Sequence, residues 1–219
     1  MPISTHDLLK EECDALGVWV DDDVGIGVSS QATFDGKETF KFFAPAGAAE
    51  TAARNYVVAA TAGAVFNASI WVYHAVLGVV NSREFKLYIP NQLGNGRLGL
   101  AFATDGFHVE TKAAGGAYSW AEYGTNLVKV GVWQQWTFQA DVTNAAASTV
   151  TVWLNGGLVG RDIDCSINDG AMGEVHIRLS QDSSVATGCI SYVDKLYIGT
   201  GLWLGSRSNQ MGIKNSMGI

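Results

Sequence analysis

Charge is scarce in this chain. Only 16% of its 219 residues are charged, the net charge is −7, and Lys and Arg never form a run. A nucleic-acid or anionic-membrane partner would require such a basic footprint, so neither is expected. No stretch approaches the ~18 uninterrupted apolar residues of a membrane-spanning helix. The opening Met1-Pro2-Ile3-Ser4-Thr5-His6-Asp7 has neither the basic nor the apolar region of a signal peptide. A protein made in the cytoplasm, and not secreted by such a signal, is therefore expected. The three cysteines, an odd number, suit reduced thiols.

Familiar catalytic signatures are also missing. There is no Gly-x-Ser-x-Gly, and His6, His74, His108 and His176 lack the spacing of zinc ligands. The literal GxGxxG of "GNGRLG" is followed by an alternating strand pattern and not by a helix, so it reads as a loop and not as a phosphate cradle. Asp21, Asp22 and Asp23 are adjacent instead of alternating and lack a distal Glu, which makes them a solvated turn before a Ca²⁺ loop.

Apolar residues, in contrast, make up 47% of the chain, enough for a full core. "STHDLLKEECDALG" carries an N-cap at Ser4 or Thr5, an acid in the first turn and a stop at Gly17. Leu8, Leu9, Cys13 and Leu16 follow helical spacing, which predicts a helical arm within residues 1–23. So short a helix is marginal alone and must dock on something, so Leu8 and Leu9 are expected partner contacts. From about residue 34 the period becomes two. Phe66, Ala68, Ile70 and Val72 share one face, as do Trp136, Phe138 and Ala140, and again Val150, Val152 and Leu154. Asn155-Gly156-Gly157 is hairpin chemistry. Strands recur without helical crossovers, which predicts an all-β, two-sheet antiparallel sandwich over residues 24–200.

Four stretches, "FNASIWVYH", "GRLGLAFATDGFHVET", "VWQQWTFQADVTNAAASTVTVWLNGGLVG" and "GCISYVDKLYIG", follow one another in a specific order. In that order the chain resembles the laminin-G-like, concanavalin A-like lectin and glucanase superfamily over roughly residues 34–200. The resemblance implies a jelly roll. It also sets Cys165 and Cys189 where laminin G modules place a terminal bridge. Glycanases of the superfamily carry Glu-x-Asp-x-x-Glu or a near variant on one strand, and no such stretch occurs here. A non-enzymatic role is expected, with a diverged glycan hydrolase or lyase ranked last.

Asp194 shares its period with Ile190, Tyr192, Leu196 and Ile198, the expected inward face. A carboxylate there needs amides, an Arg or a cation. The superfamily's structural Ca²⁺ is one candidate; no other cofactor is required. Trp120, Tyr123 and Trp153 are candidate sugar-stacking residues, with packing as the competing role. The closing "QMGIKNSMGI" repeats Met-Gly-Ile, so Met211, Ile213, Met217 and Ile219 offer apolar anchors in an interaction tail over 201–219. The leading expectation is a virion protein, a bacteriophage capsid-decorating or tail-associated protein. It would bind other virion proteins or copies of itself through the N-terminal helix and the tail. The alternative is a carbohydrate-binding module recognising cell-surface glycan.

Overall fold

A computed structural model describes residues 5–13, 20–21, 26–29, 32–44, 51–62, 65–78, 83–90, 97–112, 118–141, 143, 147–165, 171–181 and 188–201. Among these, the period-two stretches become strands and no α-helix occurs. The strands are β1 (Thr5–Glu11), β2 (Val20–Asp21), β3 (Ile26–Ser29), β4 (Thr39–Ala44) and β5 (Thr51–Ala62). They continue as β6 (Val65–Val76), β7 (Arg83–Pro90), β8 (Arg97–Ala103), β9 (Gly106–Lys112) and β10 (Tyr118–Gly124). The last are β11 (Trp133–Asp141), β12 (Thr149–Leu154), β13 (Gly157–Asp164), β14 (Ala171–Gln181) and β15 (Cys189–Thr200).

They form two antiparallel sheets. The first runs β13-β12-β11-β6-β15-β4-β3, with β1 also on β15; the second runs β10-β9-β8-β7-β14-β5-β2. The fold is a jelly-roll sandwich. Ile70, Val72, Trp136, Phe138, Val150 and Val152 of the first sheet face Leu87, Leu100, Phe102, Phe107, Val109 and Ile177 of the second, all essentially fully buried. Trp136 stacks on Phe107 at 5.1 Å and meets Phe102 edge-on at 5.0 Å, joining the two sheets at the centre. Each such side chain contributes roughly 1.5–3 kcal/mol of burial. At the β12–β13 hairpin, Asn155 and Gly156 both take positive φ, 49° and 81°, as a two-residue primed turn demands.

Two expectations are corrected here. Residues 5–11 form a strand and not a helix: Leu9, Lys10 and Glu11 pair with Ile198, Tyr197 and Leu196 of β15. β4 covers only Cys189–Val193 of that edge, so β1 satisfies backbone groups that would otherwise remain open. Tertiary pairing outweighs the local helix signal. The second correction concerns β15, which does not alternate continuously. Asp194 pairs with Trp71, but the next partners are Tyr197 and Ser69, so three residues advance against two. Lys195, at φ 48°, is the extra residue of a β-bulge. Val193 therefore faces inward, Asp194 outward, and Leu196 and Ile198 inward again.

All three cysteines are buried as thiols, so Cys165 and Cys189 are not bridged. The Met211, Ile213, Met217 and Ile219 anchors lie outside the described residues.

Candidate functional site

The core occupies one face of each sheet, which leaves two outward faces to carry function. On the first sheet, Trp71 and Tyr73 alternate with buried Ile70 and Val72 along β6, and β11 brings Trp133 opposite Tyr73. β15 brings Tyr192 to the other side of Tyr73 and Asp194 to the side of Trp71. The segment before β4 then lays Phe34 on this surface, 4.3 Å from Trp71 and 5.5 Å from Trp133. Tyr73 lies 5.7 Å from Trp133 and 5.9 Å from Tyr192. Trp71, Tyr73, Trp133 and Phe34 keep part of their surface in solvent, whereas Tyr192 is buried.

A clasp closes one side of these rings. Lys195 Nζ sits 5.0 Å from the centre of the Phe34 ring and 2.8 Å from Asp35 Oδ2. The bulge puts Lys195 where it can make both contacts. The ammonium holds the Asp35 carboxyl below its ordinary range, and Asp35 raises that of Lys195. Asp194 is only 2% exposed, and its Oδ2 has no hydrogen-bond partner among the described residues. Burial pushes its carboxyl up to about 6, against the opposing pull of Lys195. Glu12 accepts a 2.8 Å hydrogen bond from the Tyr197 hydroxyl at the same end. No three His, Cys, Asp or Glu side chains among the described residues gather closely enough to hold a metal.

The second sheet's outward face has a different chemistry. Ile177 and Leu179 are buried inward, so Arg178 occupies an outward position. One row runs Ala53, Arg178, Lys86, Ala101, His108, Glu122 across six strands. The adjacent row holds Asn55, His176, Tyr88 and Gly99, and Glu110 pairs with Trp120 further along. Although they face away from the core, Ala101 and Ala103 are 0% exposed and His108 and Glu110 only 3%. Outward positions this buried are covered by the groups around them, so this part of the face lies below its surroundings, with small residues at the bottom. His108 Nε2 lies 3.4 Å from Asp105 Oδ1 at the recess end.

The expected sugar-stacking residues do not form one site. Trp120 belongs to the row positions of the second sheet, the exposed Tyr123 to the end of its edge strand β10, and Trp153 to the outward face of the first sheet, paired with Thr137. Phe34, Trp71, Tyr73 and Trp133 were absent from the expected set. The alternation of "SIWVYH" contains two of them, whereas Phe34 reaches the cluster only through the tertiary fold.

No protein-family model matches the chain, and no curated protein matches it. Solved structures do share its architecture. The endo-β-1,4-glucuronan lyase of the fungus Trichoderma reesei is similar with a TM-score of 0.65 at 12% identity, over 88% of this chain and 95% of the lyase. A carbohydrate esterase of the Shiga toxin-encoding bacteriophage phi24B gives 0.63 at 14% identity, over 89% and 98%. Botulinum neurotoxin type C, whose cell entry depends on two ganglioside molecules, gives 0.63 at 10% identity, over 95% of this chain and 51% of the toxin chain. What is shared is the fold.

Proposed function

We propose that this protein is a saccharide-binding jelly roll that holds an anionic glycan in the recess of its second sheet without cleaving it. The observation that carries this reading is the burial of outward-facing Ala101, Ala103, His108 and Glu110. Small residues between taller positions leave room for a chain lying across the strands, and His108 places an imidazole among them. The register sets Arg178 opposite Lys86, two cationic residue types at neighbouring positions, which favours an anionic ligand in particular. Like charges directly opposite each other destabilise a sheet, and a local rule broken in this way is typical of a functional position. Fold likeness to a lyase, an esterase and a ganglioside-dependent toxin supports the saccharide class.

A binding role on a virus particle is the second reading, supported by the likeness to a bacteriophage esterase over nearly its whole length. Purified particles that contain the chain in stoichiometric copy number would support it; particles free of the chain would sink it. For the recess, titration calorimetry against uronate-containing and sulfated polysaccharides is decisive. Ala101→Tyr, which fills the floor, and Arg178→Ala should each weaken binding roughly tenfold or more. Unchanged affinity in both would refute the site, and new reducing or unsaturated chain ends would refute the absence of cleavage.

A further inference from the structure

We infer that the outward face of the first sheet is a second saccharide site, selective for a neutral pyranose stacked on Trp71 and Trp133 against the wall made by Phe34. A pyranose has an apolar C–H face and a belt of hydroxyls. It therefore needs an aromatic floor edged by polar groups, and this face supplies both. The floor comes from adjacent strands: Trp133 pairs with Tyr73, and Gln135 with Trp71. Phe34 stands at 70° to Trp133 and 38° to Trp71, which turns a flat platform into a corner. At the edge, the Asp35–Lys195 pair keeps 34% and 24% of its side chains exposed.

The strongest pointer to a ligand is Asp194. It is 2% exposed, it is the direct cross-strand neighbour of Trp71, and its Oδ2 lacks a donor among the described residues. A buried acceptor without a donor is costly and rare, and calls for an explanation. Oδ2 is closed to solvent, so a sugar hydroxyl provides the missing donor when the Phe34–Lys195 clasp shifts aside. Selectivity for a neutral sugar follows from charge. Asp35 and Glu12 both oppose a negative charge on Asp194, and Lys195 is already paired with Asp35. Lys37 stands beside Asp35 and Lys41 lies across from Tyr192 on the same face, so amines and carboxylates offset each other and an anionic sugar gains no net attraction here. The two sites are therefore separable, and neither depends on the other.

The test is a titration of neutral oligosaccharides (gluco-, galacto- and manno-configured) followed by tryptophan emission and calorimetry. Trp133→Ala should lower affinity roughly tenfold or more, whereas Ala101→Tyr on the other sheet should leave it unchanged. If Trp133→Ala does not fold, Trp133→Phe keeps a smaller ring and should show a partial loss. Asp194→Leu separates function from structure. It removes a buried, unpaired carboxylate, so the melting temperature should rise while affinity falls. A higher melting temperature with unchanged affinity, or no neutral sugar bound by the native chain, would overturn the site. Loss of neutral binding on Ala101→Tyr would show that there is one saccharide site and not two.

Discussion

The two outward faces are built by the same pleat yet diverge in chemistry. On the first sheet, outward positions carry rings: Trp71 and Tyr73 on β6 and Trp133 on β11, with carboxylates at one end. On the second, outward positions hold His108, Glu110 and small residues, all buried, and the register sets Lys86 opposite Arg178. Between them lies one continuous core in which Trp136, Phe102 and Phe107 interlock. Because that core provides the packing, the outward faces are free to hold groups that weaken the fold. The first does so with the buried Asp194 carboxyl, and the second sets two cationic residue types opposite each other at positions 178 and 86.

The largest predicted effect uses the core as the reference for the first face. His74 is fully buried on the inner side of β6, with Nδ1 2.9 Å from Ser191 Oγ, and burial depresses its pKa from 6.5 to about 3. Between those values the unfolded chain binds the proton that the folded chain refuses, so stability falls as pH drops below 6.5. The full effect is about 4–5 kcal/mol. Asp194, on the outer side of the same sheet, has the opposite sign. Its pKa rises from 3.8 to about 6, so the folded chain holds the proton longer and stability falls as pH rises through that window, by about 2–3 kcal/mol.

Between about pH 4 and pH 6 the two slopes therefore oppose each other. Asp194→Asn should expose the His74 slope as a steep loss of stability on acidification across this window. His74→Gln should expose the reverse slope. Urea unfolding at a series of pH values measures both. Parallel curves for the native chain and Asp194→Asn would show that the outer carboxyl carries no burial cost.

The inner half of this architecture was legible in the sequence and the outer half only partly. The alternations through Phe66–Val72, Trp136–Ala140 and Val150–Leu154 predict the core face because a half-buried strand must repeat every second residue. Asn155-Gly156 predicts its turn because both residues accept positive φ. Residues 5–11 misled, because their caps and apolar stripe are local whereas the edge of β15 that recruits them is almost the whole chain away. The bulge at Lys195 was invisible for a related reason. "ISYVDKLYI" reads as unbroken alternation, and the extra residue shows only against the register of β6. That one residue moved Asp194 from the expected core to the outer face. His108 and His176 looked scattered because a shared cross-strand face is a property of the sheet order and not of sequence spacing.

The smallest predicted effect tests the second face's departure from sheet rules. Lys86→Gln removes one of two like charges in a cross-strand pair, and should stabilise the fold by about 0.2–1 kcal/mol at low salt. The gain should shrink as salt screens the pair, while affinity for an anionic polysaccharide falls. Stability and binding moving in opposite directions would parallel Asp194→Leu on the first sheet, and would show that each face keeps an unfavourable group for its ligand. If Lys86→Gln instead destabilised the chain at every salt concentration, Lys86 would be a structural partner within the sheet. The anionic selectivity proposed for the recess would then lose its support.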